Sequence, residues 1–234
     1  MIYSVPDLTL SAALKLENSL DQIVPENEFV FDFTHMSNFD PLPMLLSGAM
    51  IKRYRKRYPE VPFSITGADT KGKGYAGTMG FFKSISPSLN VGKFPGEATG
   101  SSNYIPITLI SIDALKQAEY AQGNYMALGT IIENESSRLA RIVDRGNDEL
   151  HKLLTYLIRE ILRNTPEHAQ TDQIWVCGQY WPSYELAEIA IVDEGIGIYQ
   201  SIIKNRSHRE YIKDNSIALQ WALKAGISQE FRPS

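Results

Sequence analysis

Cysteine is nearly absent. Cys177 is the single thiol in 234 residues, so no disulfide can form within the chain. Its neighbours are apolar, and it reads as a buried, inert thiol. Long apolar runs are also missing. None approaches the ~20 residues that a membrane helix needs. The N-terminal Met1-Ile2-Tyr3-Ser4-Val5-Pro6 has no basic segment leading into an apolar one, so no secretory signal is read there. Positive charge is not in excess either. Lysine and arginine number 23 against 27 aspartates and glutamates, and the formal charge of -4 offers no general attraction to nucleic acid or to an anionic membrane. No repeat and no low-complexity tract is visible. The expectation is a cytoplasmic protein with neither a membrane nor a nucleic-acid partner.

What is present belongs to the ordinary globular class: 43% hydrophobic and 21% charged residues. A chain of this length buries a sizeable core without a structural metal. Its first part alternates strand and helix signals. Glu28 to Phe33 reads as a strand, Pro41 to Tyr58 as a helix with a basic end, and Val61 to Thr66 as a strand. A glycine-rich stretch, Gly67 to Gly80, precedes a short helix at Phe81 to Ile85. Ser86 to Asn103 lacks periodicity and reads as a loop, and Tyr104 to Ser111 again as a strand. In the second part, Glu149 to Arg163 has apolar residues at 150, 153, 154, 157, 158, 161 and 162, a period of 3.6. Pro166 lacks an N–H and opposes the carbonyl of Leu162, so the helix should kink or stop there. Gln173 to Tyr180 and Glu185 to Val192 flank a WPSY turn and read as an antiparallel hairpin. Helical segments follow from Tyr199 and near Ser216 to Lys224.

Two short motifs stand out in this frame. Glu160 and Asn164 lie at i, i+4 on the helix and so share one face. Asp193-Glu194-Gly195-Ile196-Gly197 closes the last strand, and its alternating glycines let backbone approach a flat ligand closely. Each alone is ordinary: a solvated helix face and a turn after a strand. In this order, around a hairpin, they suggest a purine-nucleotide site with a magnesium ligand and a general base.

Helix with E-x-x-x-N, hairpin, then D-x-G-x-G resembles the GHKL ATPases, the Bergerat-fold group that includes histidine-kinase catalytic domains and anti-sigma serine kinases. Tyr156 to Ala169 (YLIREILRNTPEHA) and Ile191 to Ile198 (IVDEGIGI) carry the resemblance, which covers about residues 145 to 225. It implies ATP and Mg²⁺ as cofactors. Asn164 would offer its side-chain oxygen to Mg²⁺, and Glu160 would orient or deprotonate the attacking hydroxyl. Asp193 would accept a hydrogen bond from the adenine amino group. Gly195 and Gly197 would let the chain close over the base. His168 would face the phosphates if the helix continued past Pro166. The group's second glycine box is not found: after Gly197 the only glycine is Gly226. More loosely, VFDFTHMSNFDPLPMLLSGAMIKRYRKR and VPFSIT resemble STAS-like domains, which implies a fold but no phosphorylation site. The expected class is therefore α/β, layered as α+β. A STAS-like module at 1–115 would precede a Bergerat-type sandwich at 116–234, cut short before the second glycine box.

The function so implied is a regulatory protein in which Mg-ATP binding controls a protein partner, with ATPase or serine/threonine kinase activity if it is an enzyme. The oligomeric state is left open. One alternative is a non-enzymatic interaction module. Another is a P-loop NTPase using Lys73, because Gly67 to Gly74 (GADTKGKG) nearly matches G-x-x-x-x-G-K-[ST]; Gly74, however, replaces the Mg²⁺-binding hydroxyl. Three other groups have plainer readings. The cations Lys52, Arg53, Arg55, Lys56 and Arg57 suit a helix C-terminus. Asp32, His35 and Asp40 suit loop hydrogen bonding rather than a metal. His151 does not sit in a phospho-acceptor context.

Overall fold

The structure is a computed structural model that describes residues 1–121, 128–171 and 173–223. Along the chain run β1 (Ile2–Ser4), α1 (Leu10–Asp21), β2 (Phe29–Asp32), α2 (Pro41–Arg57), β3 (Phe63–Thr66), α3 (Gly74–Met79), α4 (Phe81–Ile85) and β4 (Tyr104–Ser111). Then come α5 (Ile112–Ala121), α6 (Leu128–Ala140), α7 (Asp148–Asn164), β5 (Gln173–Trp181), β6 (Leu186–Asp193), α8 (Gly197–Ile202), α9 (Arg206–Arg209) and α10 (Asn215–Ala222). The architecture is mixed α/β with two three-stranded sheets, as the sequence led one to expect at that level. The chain divides into two compact units, each drawn from three segments of the sequence. One comprises Met1–Leu109, Arg138–His151 and Trp175–Val192. The other comprises Ile110–Ser137, Lys152–Ile174 and Asp193–Ser234.

The first unit grows from β2. Its residues alternate, and Phe29 and Phe31 are 0% and 1% exposed. Their rings pack at tilted and edge-on angles against one another and against Tyr54 of α2, at centroid distances of 4.9, 5.1 and 6.1 Å. Aromatic edge and face contacts of this kind add to simple burial. β1 and β3 flank β2, both parallel to it. Parallel neighbours require crossovers, and α1 and α2 supply them. The segment before Phe29 therefore holds two elements, β1 and α1, that the sequence reading did not register. Periodic Ala13, Leu16 and Leu20, all buried, and a Thr9 side chain accepting from the Ala12 N–H explain α1.

The basic end of α2 divides by face. Arg53 and Arg57 reach across to Glu17 and Asp21 of α1, each at 2.6 Å, forming two rungs one helical turn apart. Arg55 donates to the Ile85 carbonyl at the end of α4. Tyr54 and Tyr58 pack together at 5.2 Å, as their i, i+4 spacing predicts.

The second sheet has the order β4-β5-β6. The connection between β5 and β6 is too short for a crossover, so the expected antiparallel hairpin forms. Within the first unit, the Cys177 thiol of β5 donates to the Pro41 carbonyl at 3.3 Å and is fully buried. Burial drives its pKa well up, so it stays a neutral thiol. Ile107, Cys177 and Ala190 belong to the same core as the β2 phenylalanines.

The loops after β1, β2 and β3 converge. Asp7 accepts from the Ser37 backbone N–H at 2.6 Å and from its hydroxyl at 3.0 Å. The Ser37 N–H is the main reason the Asp7 carboxyl sits below its ordinary value of 3.8. A lowered folded-state pKa contributes stability above the unfolded value, and that contribution is lost as pH falls through the folded one. Asp7→Asn should therefore flatten the decline of stability below about pH 4. Urea denaturation across the acid range tests this. Parallel curves for wild type and variant would show that Asp7 contributes nothing there.

Candidate functional site

All six residues singled out from the sequence, Glu160, Asn164, His168, Asp193, Gly195 and Gly197, fall in the second compact unit. α7 carries two of them. Asn147 caps its start by accepting from the Leu150 N–H at 2.9 Å, and Asp148 and Glu149 suit the first turn. Thr155, Ile158 and Leu162 are its buried face. Glu160 and Asn164 share another, half-exposed face.

The helix stops as an α-helix at Asn164, two residues before Pro166, and the chain winds on as a single wider π turn over Thr165–Ala169. Pro166 explains this, because it cannot donate to the carbonyl of Leu162. The i, i+4 phase of an α-helix therefore no longer decides where His168 points. The π turn ends at Gln170, whose φ of 58° is left-handed. Asn164 makes no side-chain capping bond to that turn.

The second motif folds onto this end. Asp193 Oδ1 accepts from the Gly195 N–H at 2.9 Å and tightens the turn. The Ile196 N–H donates to the Ala169 carbonyl at 2.9 Å. The two glycines serve different needs. A Cβ on Gly195 would stand 2.3 Å from the Ala169 oxygen and 2.5 Å from its Cβ, so close approach demands glycine. Gly197 has open space around it, but its φ of 75° is left-handed, so there the demand is conformational. α8 starts directly from this turn. The structure thus brings the end of the first motif's helix and the second motif's turn together.

Glu160 is held elsewhere. Its Oε1 accepts from Arg159 at 3.0 Å and lies 3.8 Å from Arg163. Arg159 also reaches Glu133 of α6 at 3.2 Å. The hydrogen bonds that the Arg159 guanidinium donates to Glu160 and then to Glu133 hold it firmly protonated. Among the described residues, no hydrogen bond joins Glu160 or Asn164 to the Asp193–Gly197 turn.

Other sequence candidates find plain partners. Lys73, the P-loop lysine, is 5% exposed, and its ammonium donates to the Met36 and Thr34 carbonyls. An ammonium so engaged is not presented to phosphates, and α3 behind it is six residues long. Asp32 accepts from Thr34 and Thr66, which is the loop bonding expected of it. No group of three or more metal-ligating side chains occurs among the described residues. A single Asn164 oxygen would suit Mg²⁺ only with waters and phosphates completing the shell, which is that ion's habit. Gly226, the sole downstream glycine, and Lys224, the expected end of the last helix, lie outside the described residues.

The sequence reading did not register one further pair. His151 Nδ1 stands 2.6 Å from Asp144 Oδ2, while Asp144 Oδ1 accepts from the Gly146 N–H at 2.8 Å. Aspartate, then glycine, then a histidine one turn into a helix was the available signal. The pair clasps the connection from α6 to α7. In the first unit, an open hollow of about 400 Å³ is lined by Lys52, Arg55 and Lys56 over Val61 and Phe63. Lys52 also lies over the Trp175 ring at 3.9 Å.

No protein-family model matches the chain, and comparisons with curated proteins and with solved structures return no match. No helix among the described residues is long and apolar enough to cross a membrane.

Gly195→Ala should displace the turn from Ala169 and cost about 1–3 kcal/mol, the usual penalty of overpacking. Gly197→Ala should cost about 1 kcal/mol through its φ alone. Chemical denaturation of both variants tests the difference; an unaffected Gly195→Ala would rule out the close contact.

Proposed function

We propose that this chain is an ATP-binding regulatory protein of the GHKL type, in which Mg-ATP controls the grip on a protein partner. The observation that carries the reading is the docking of the Asp193–Gly197 turn on the end of the Glu160/Asn164 helix through Ala169. Gly195 is taken up by the contact with Ala169, but Gly197 has open space where a side chain would stand, and there a flat base could lie against backbone. An aspartate accepts on two oxygens, and here Oδ1 serves Gly195, so Oδ2 is the acceptor left to face an adenine amino group. Asn164 would take Mg²⁺ and its waters, and ATP would bring the phosphates.

Glu160 inclines the reading toward binding rather than rapid chemistry. Its carboxylate is drawn to Arg159 and Arg163. To take a proton from water or a substrate hydroxyl it must first release them, so a serine/threonine kinase or ATPase activity would be slow or partner-dependent.

A second reading, an interaction module without nucleotide, is carried by the hollow in the first unit. Three cations over an apolar floor suit an acidic segment of a protein partner. One titration separates the two. Mg-ATP should bind wild type, and Asp193→Asn should weaken it about 10-fold or more, since one buried base-edge contact is worth roughly 1–3 kcal/mol. Calorimetry measures this. Equal affinity would remove the adenine assignment, and no binding to either protein would favour the interaction module.

A further inference from the structure

α7 has an apolar stripe that nothing among the described residues covers. Leu150, Leu153, Leu157 and Ile161 follow one another by three, four and four residues and are exposed at 37, 55, 47 and 48%. Tyr156 beside them is 53% exposed. Scattered exposed leucines need no explanation, but a continuous row along one helix marks an interaction surface. Its spacing is that of a helix–helix seam.

The charges along one edge of the stripe say what fits there. In chain order that edge reads Glu149, Lys152, Tyr156, Glu160, Arg163: negative, positive, tyrosine, negative, positive. Read backwards it is positive, negative, tyrosine, positive, negative. When two such helices pack antiparallel, the same edge of each faces the other in reverse order. With the two Tyr156 rings at the centre, Glu149 then meets Arg163 and Lys152 meets Glu160, on both sides of the axis. A parallel pair would place this edge of the two helices on opposite sides of the seam, where the complementary order goes unused. Edge charges of this kind choose partner and direction.

We propose that α7 pairs antiparallel with α7 of a second copy of this chain. The interface is isologous, as a two-fold requires: every contact is made twice. The apolar rows register too, since Leu153 of one helix lies against Leu157 of the other. Glu160 already receives Arg159 and Arg163 from its own helix, and the second copy's Lys152 joins that network. The inference uses Glu160 only as a charge and does not depend on nucleotide binding.

Sedimentation of the full chain at micromolar concentration tests it. Wild type should run as a dimer. Leu157→Glu, at an exposed position, should run as a folded monomer by circular dichroism. Glu149→Lys and Arg163→Glu should each shift the population to monomer, and the double variant should restore the dimer. Tyr156→Cys should give a disulfide-linked dimer in an oxidised glutathione buffer, the buried Cys177 staying silent. A monomeric wild type, a Leu157→Glu dimer as stable as wild type, or a double charge variant no better than the singles would each overturn the antiparallel pairing.

Discussion

The first unit depends on the burial of the aromatic side of β2. Phe29, Phe31 and Phe33 are each at most 1% exposed, and Tyr54 and Phe63 pack against the first two. Truncating one such ring to alanine typically costs about 3–5 kcal/mol, a large share of a domain's net stability. Once β2 is committed to that core, its parallel neighbours and the helices that connect them follow. The polar residues left at the carboxyl ends of the strands must then satisfy one another. Asp7 takes Ser37, Asp32 takes Thr34 and Thr66, and Lys73 takes two carbonyls. Those residues look functional in a string of letters because they are polar, close and set among glycines. In the fold they close loops.

The second unit rests on a narrower constraint. The turn after β6 approaches the end of α7 so closely that Gly195 has no room for a side chain. The π turn and the left-handed Gln170 shape that end, and Pro166 ends the α-helical hydrogen bonding before it. The GHKL reading draws its structural support from this contact. It also meets a restraint in the Arg159–Glu160–Arg163 cluster, which engages the carboxylate that a catalyst would need free.

α7 joins the two proposals. Its buried face builds the unit, its Asn164 end meets the glycine turn, and its exposed stripe is self-complementary toward a second copy. The proposed nucleotide and pairing faces would meet at Glu160. If both proposals hold, a ligand at one face acts on the charge that the other uses, a simple route to coupling.

Periodicity alone determined much of this protein. The 3.6-residue period of α7, the strand character of β2 and β4, the WPSY hairpin and the stop near Pro166 are local properties, set by side-chain spacing and backbone sterics. β1 is illegible because a three-residue strand has too few positions to show a period, whereas α1 does carry a period in Ala13, Leu16 and Leu20 and a cap at Thr9. Only the tertiary structure decided that β4 joins β5 and β6 in one sheet, that Lys73 is buried on carbonyls, and that Glu160 answers to arginines rather than to the glycine turn. Pairing, burial and ion-pair choice depend on residues far apart in the chain. They are settled by which partners the folded backbone brings within reach.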